Sequence, residues 1–192
     1  MLLGSLESWT LVRHQIRYGP WVANGAVLET ERLRLRRFTW DDLDPLAAIL
    51  GDPDVMRYYP KPFSREETRE WIQWNLDLYR DHGFGLWAVV LKERGVFLGD
   101  CGLTIQVVDG QDDVEVGYHL NKDYWGRGLA TEGAAACRDY AFNVVGIKRL
   151  IAITDPHNRD SQRVAEKIGM TPEKHVMRRH GPRLIYAMAK DE

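Results

Sequence analysis

The chain is 192 residues long, enough for one domain with a buried core. Its residues are 44% hydrophobic and 28% charged, ordinary globular proportions. A formal net charge of −2 gives no electrostatic footprint for nucleic acid or an anionic membrane surface. Its two cysteines, Cys101 and Cys137, fall inside apparent secondary structure and suggest no disulfide framework, so a reducing cytoplasm is the expected compartment. No apolar run approaches the roughly 20 residues of a membrane span, and residues 1–10 lack the basic cluster of a secretory signal.

Residues 1–27 hold Trp9 and Trp21 without periodicity, and Gly19-Pro20 and Asn24-Gly25 punctuate them as turns. They read as an N-terminal extension, either packed on the domain or a partner or left as a flexible leader. Their apolar content makes a homodimer a reasonable expectation. The domain proper is expected over 28–192. From Glu29, Leu33 and Leu35 alternate with Arg32, Arg34 and Arg36 as a half-buried strand. Thr39 can cap a helix whose Leu43, Leu46, Ala47 and Leu50 share one face, stopped by Gly51-Asp52-Pro53. Ser64 and Glu67 have capping-box spacing ahead of a second helix with Trp71, Ile72 and Tyr79 on its apolar stripe, ending near Gly83.

Strands are predicted at 85–92 and 96–107 around a Glu93-Arg94-Gly95 hairpin turn. An acidic loop from Asp109 to Asp113 then leads into a strand over 114–120. A helix follows at 129–143 and a buried strand at 149–154. A short helix starts at Asn158 and stops at Gly169. Two last strands, 170–178 and 183–189, flank a Gly181-Pro182 turn. The order β-αα-βββ-α-β-α-ββ predicts an α/β (α+β) fold, with a mixed, mostly antiparallel central sheet of about seven strands flanked by about four helices.

The segment Trp125-Gly126-Arg127-Gly128-Leu129-Ala130-Thr131-Glu132 joins the 114–120 strand to the 129–143 helix. A strand feeding a Gly-rich turn into a helix start presents unpaired backbone N–H groups at the positive end of a helix dipole. That is a site for phosphate or pyrophosphate. Gly126 and Gly128 let the backbone approach an anion closely. The rival readings are weaker. The third glycine of a dinucleotide fingerprint falls at Thr131, and no Gly-Lys-Ser/Thr is present for a triphosphatase loop. An ordinary tight turn is the bland alternative.

Glu115-Val116-Gly117-Tyr118 followed by Tyr124 to Glu132 resembles the coenzyme-binding motif of the GNAT N-acetyltransferases, and within them the ribosomal-protein N-terminal acetyltransferase branch. Glu31-Arg32-Leu33-Arg34-Leu35-Arg36 resembles that branch's first strand, and Asp54-Val55-Met56-Arg57-Tyr58 its substrate-side loop. Asn158-Arg159-Asp160-Ser161, with Glu166 to Met170 after it, resembles its fourth-helix segment. The resemblance spans roughly residues 29–189. It implies acetyl-CoA as co-substrate and direct attack of an amine without an acyl-enzyme. It implies that the backbone of Trp125, Gly126, Arg127, Gly128, Leu129, Ala130 and Thr131 holds the pyrophosphate, and that Asn158 bonds the pantetheine arm. The strand ending at Tyr118, His119 and Leu120 should splay from the 149–154 strand, the fourth from the fifth, so that the thioester lies between them and its carbonyl meets a backbone N–H.

Ser161 matches the branch's serine that protonates the departing thiolate; its bland reading is a polar residue in the first turn of a capped helix. Glu115 is the candidate base for the amine, against a simple ion pair with an arginine. His119 lies on the same strand face and is the lesser candidate, against a satisfied imidazole at the sheet edge. Arg57, Tyr58 and Tyr59, with the Arg178-Arg179-His180 turn, are candidate walls for the acceptor, or else a solvated basic loop. His82, His157, His175 and His180 lack paired ligand spacing, so no metal is expected. Cys137 reads as packing. The expected activity is transfer of acetyl to an amine acceptor, either a protein N-terminus or a small molecule, with no nucleic-acid or membrane partner. A non-catalytic acyl-CoA sensor or scaffold and a different nucleotide-binding domain stand as alternatives.

Overall fold

The computed structural model describes residues 25–190. Its strands are β1 (Ala26–Glu29), β2 (Leu33–Arg36), β3 (Leu86–Leu91), β4 (Val96–Val108), β5 (Gln111–Leu120), β6 (Arg149–Thr154), β7 (Thr171–Arg178) and β8 (Gly181–Ala189). The α-helices are α1 (Leu43–Leu50), α2 (Arg65–His82), α3 (Leu129–Tyr140) and α4 (Arg159–Lys167). One sheet runs in the order β1-β2-β3-β4-β5-β6-β8-β7. Every neighbouring pair is antiparallel except β5 with β6, which the α3 crossover makes parallel.

Two neighbours on β4 show how the layers divide. Asp100 faces α2, where the Trp71 indole donates to it at 2.9 Å. Cys101, the next residue, faces α3, where a Cβ on Gly133 would stand 3.4 Å from its Sγ. Successive strand residues point to opposite faces, so α2 and α3 cover opposite sides of the sheet. The expected face pattern of β5 holds: Val114, Val116 and Leu120 are buried, and Tyr118 shares their side. Cys137 packs as expected, its Sγ 3.6 Å from that of Cys101 with both thiols reduced and buried.

Asn75 pins α2 to the sheet. It accepts from the Leu86 N–H at 2.7 Å and donates to the Trp71 carbonyl at 2.9 Å, which explains a fully buried amide on an apolar stripe. The α2 capping box forms as predicted between Ser64 and Glu67, and Gly83 closes the helix with φ of 80°.

The structure departs from the sequence reading at four places. Among the described residues there are eight strands where about seven were expected, because Ala26–Glu29 forms its own strand antiparallel to β2. Ala26 and Val27 of the expected extension therefore lie in the sheet, while residues 1–24 lie outside the described residues. The acidic loop is only the two-residue turn Asp109-Gly110, with φ of 51° and 79°; Gln111, Asp112 and Asp113 continue the β5 ladder. The last hairpin turns at Arg179-His180, so Gly181 and Pro182 open β8. Finally, the 129–143 helix ends as α3 at Tyr140 and continues as a π-turn, Ala141–Val145, stopped by Gly146 at φ of 80°.

The expected splay is present. Pairing of β5 with β6 covers Val114↔Leu150 and Glu115↔Ile151, and the remaining residues of β5 keep their partners on β4 only. Among the described residues no helix is long and apolar enough to cross a membrane.

Candidate active site

The Gly-rich turn has the form expected of an anion loop. Gly126 and Gly128 adopt φ of 73° and 76°, a region that residues with a Cβ enter only at a cost. Gly128 is the N-cap of α3 and has no side chain to occupy the helix start. The first intrahelical bond runs from the Glu132 N–H to the Gly128 carbonyl at 3.0 Å, so the N–H groups of Leu129, Ala130 and Thr131 precede it. Trp125 differs from its neighbours. Its own N–H bonds the Lys122 carbonyl at 3.1 Å, and its indole donates to the Leu120 carbonyl at 2.8 Å, fastening the turn to the end of β5.

Glu132 anchors the loop from below. Its carboxylate accepts from the Thr30 hydroxyl at 2.5 Å, the Arg32 N–H at 2.8 Å and the Arg32 Nε at 2.6 Å. Arg32 in turn donates from Nη1 to the Arg127 carbonyl at 2.9 Å. Burial alone would raise the Glu132 pKa, but the Thr30 and Arg32 bonds outweigh it and hold the carboxyl below its ordinary value. The Arg127 side chain lies over the Tyr124 ring at 4.9 Å and donates to the Asp123 carbonyl.

Where β5 and β6 part, Glu115 sits at the fork. The Thr104 hydroxyl donates to it at 3.1 Å, and the Ile153 N–H also bonds this carboxylate. Burial pushes the Glu115 carboxyl above its ordinary value, against those hydrogen bonds and the charge of Arg178. On the opposite face, the Tyr118 hydroxyl lies 3.0 Å from both the Ser161 carbonyl and Ser161 Oγ. Burial raises the Tyr118 phenol. Asn158 caps α4 by accepting the Ser161 N–H at 3.1 Å. Tyr118, Asn158 and Ser161 are thus brought together, while Glu115 and His119 lie across the sheet from them.

His119 is the surprise of the site. Its ring Nδ1 is 2.8 Å from Asp100 Oδ1, and its Nε2 is 2.6 Å from the Tyr59 hydroxyl. Burial pulls the His119 pKa down, but Tyr59 and Asp100 more than compensate and push it up to about 10. Its backbone N–H also bonds Asp100, at 3.0 Å, so that N–H is engaged within the protein. Sequence reasoning missed Asp100, although a lone carboxylate inside an otherwise apolar strand must find donors and was a usable signal.

Arg57, Tyr58, Tyr59 and His180, the expected walls, line one cleft of about 490 Å³ together with Pro60, Asp155 and His157. The Tyr58 hydroxyl reaches the His157 carbonyl at 3.3 Å, linking the loop after α1 to the loop after β6. Arg178 turns away, to Gln106 and the Val107 carbonyl. Among the described residues no cluster of His, Cys, Asp or Glu could hold a metal ion.

The chain is similar in sequence and in fold to known proteins. A YkkB protein of Bacillus subtilis, itself uncharacterised, is 41% identical over 160 residues, covering 83% of this chain and 93% of its own. The spermidine N(1)-acetyltransferase of Escherichia coli is 33% identical over 152 residues, 76% of each chain. The ribosomal-protein-S5-alanine acetyltransferase structure of Vibrio fischeri superposes with a TM-score of 0.68, covering 86% of this chain and 97% of that one, at an identity of 18% that shows the fold alone. The model of the acetyltransferase (GNAT) domain family matches residues 32–171. With most of its length under that model, the chain belongs to the GNAT family of acyl-CoA-dependent N-acetyltransferases.

Proposed function

We propose that the chain transfers acetyl from acetyl-CoA by direct attack of a primary amine, either a protein N-terminal α-amine or a small-molecule amine. The observation that carries this reading is a convergence at one end of the sheet. There the anion loop, the parting of β5 from β6 after Glu115 and Ile151, and the Tyr118–Ser161 pair all meet. The N–H groups from Gly126 to Thr131 hold the pyrophosphate. Asn158 caps α4 with its oxygen, which leaves its amide N–H for the pantetheine arm. The thioester then lies in the fork. Ser161, with Tyr118 beside it, gives a proton to the departing thiolate, and Glu115 takes one from the amine directly or through water. A raised carboxyl pKa suits Glu115 to that task by bringing it nearer the working pH.

A polyamine acceptor is the second reading, favoured by the spermidine-acetylating relative. An amine panel with acetyl-CoA, read by release of free thiol, tests both, and turnover well above blank with at least one primary amine is expected. Calorimetric binding of acetyl-CoA with no amine above blank would instead mark a non-catalytic acyl-CoA sensor. Binding of ATP but not CoA would end both readings.

A further inference from the structure

One hydrogen-bonded chain runs from the core to the cleft. The Trp71 indole donates to Asp100 Oδ2, Asp100 Oδ1 meets His119 Nδ1, and His119 Nε2 meets the Tyr59 hydroxyl. Asp100 is fully buried, the His119 side chain is 9% exposed, and Tyr59, at 42%, is the open end. The titratable groups against His119 are Asp100 from β4 and Tyr59 from the loop between α1 and α2. The Trp71 ring of α2 lies 5.8 Å away, centroid to centroid.

The direction of the last bond follows from charge. Asp100 receives three donors, the Trp71 indole, the His119 N–H and His119 Nδ1–H. Among the described residues its one ion-pair partner is His119. A neutral His119 with its proton on Nδ1 would take the Tyr59 proton as a hydrogen bond. A charged His119 donates from Nε2 instead, so the Tyr59 oxygen accepts and its own O–H turns out into the cleft. The fully buried Asp100 carboxylate, 2.8 Å from Nδ1 and paired with His119, favours the second arrangement, and the upward push on His119 has the same sense.

The rest of the cleft has the same sense. Arg57 brings a guanidinium to the wall, stacked over the Tyr58 ring and 3.8 Å from the Asp160 carboxylate. Asp155, the one carboxylate of the lining, is already engaged by Arg183 Nη1 at 3.3 Å and the His157 N–H at 2.9 Å. A second ammonium group on the acceptor would meet only carboxylates already paired with arginines, Asp155 with Arg183 and Asp160 with Arg57 and Arg163, whereas an oxygen beside the reacting amine would meet the phenol O–H.

Resting on the acetyltransferase reading, we propose that Tyr59 is the specificity-determining residue of the acceptor cleft, held as a donor by the Asp100–His119 pair. The acceptor class that follows is an amine with a carbonyl or carboxylate oxygen next to it, an amino acid or a peptide N-terminus, and not a polyamine.

The test uses the full chain, acetyl-CoA and three acceptors: phenylalaninamide, phenethylamine (the same amine without the carbonyl) and spermidine. Compared per neutral amine, because the amide's amine is much less basic than phenethylamine's, the wild type should favour phenylalaninamide over phenethylamine by roughly tenfold or more in kcat/KM, one hydrogen bond to a charged or polarised group. Tyr59→Phe, at an exposed position, should fold normally and collapse that corrected ratio to about one, chiefly through KM for the amide. Nitrogen-15 NMR at pH 7.5 should show both His119 ring nitrogens protonated. Spermidine turned over faster than the amide, a Tyr59→Phe ratio that stays high, or a neutral His119 would each overturn the assignment while leaving the enzyme reading intact. Silence with all three amines and with a wider panel overturns both.

Discussion

Asp100 and His119 are joined twice, with the backbone N–H and the ring Nδ1 of His119 converging on the same carboxylate oxygen at 3.0 and 2.8 Å. The pair fixes the register of β4 against β5 four residues beyond the last β5–β6 pair, so it serves both the fold and the cleft. Because the folded-state pKa of His119, about 10, lies above the unfolded value near 6.5, the native state binds the extra proton between those limits. The stabilisation is therefore full below about pH 6.5 and is lost as pH rises through about 10. Urea midpoints taken from pH 6 to 10 should fall with pH, with this proton contributing at most about 1.4 kcal/mol per pH unit. His119→Gln should flatten that fall; an unchanged slope would remove the pair from the stability account.

Gly128 caps α3 at φ of 76°. Gly128→Ala forces a side chain into the left-handed region, at about 1–2 kcal/mol of stability. It also shifts the N–H groups proposed to hold the pyrophosphate. The dissociation constant for CoA, measured by calorimetry, should rise about tenfold or more. A melting temperature that drops while CoA affinity holds would mean the loop is a turn and no anion site.

Glu132 offers an independent route to the same loop, since it holds Arg32 and Arg32 holds the Arg127 carbonyl. Its lowered pKa means that its stabilisation is present above pH 4.5 and fades as pH drops through the folded-state value. Glu132→Gln should therefore cost more stability at pH 7 than at pH 3, and should raise the KM for acetyl-CoA several-fold at pH 7 with kcat little changed. Equal destabilisation at both pH values would show that ionisation of Glu132 is irrelevant.

The parts of this molecule legible from its sequence are those whose cause is local. Positive φ at the turn demands glycine, so Gly126 and Gly128 announced the loop, and Ser64 with Glu67 announced α2. β1 was invisible because four residues beside a turn carry no period, and only its pairing with β2 makes it a strand. Asp112 and Asp113 looked like loop because they are charged, yet the Asp109-Gly110 dipeptide was a hairpin signal that outranked them. Tyr59, Trp71, Asp100 and His119 come from a loop, a helix and two strands, and their junction depends on register and packing that no local pattern encodes.

Ser161 stands 3.0 Å from Tyr118, so two hydroxyls sit together where the thiolate is proposed to leave. Ser161→Ala should lower kcat about 10- to 100-fold while leaving acetyl-CoA binding by calorimetry within twofold, the pattern of a group that acts in the transition state. Tyr118→Phe should cost less. Should Ser161→Ala instead raise only KM for acetyl-CoA, the serine is a binding contact.

Glu115 is the proposed base for the amine, and its importance depends on the acceptor. A lysine-like amine near pKa 10.4 must lose a proton at a cost of roughly 4.6 kcal/mol at pH 7, while an α-amine near 7.7–8.0 costs only about 1. Glu115→Gln keeps the shape and the acceptor oxygen for Thr104 and Ile153, so the splay should persist and stability should hold or rise as a buried carboxylate is removed. With an α-amine at pH 8 the variant should lose less than about tenfold in kcat, because much of the acceptor is already neutral. A loss of about a hundredfold or more there, with circular dichroism unchanged, would argue against an α-amine acceptor and for a strongly basic one. The same variant would then recover as pH is raised toward 10, since the base becomes dispensable once solvent supplies the free amine.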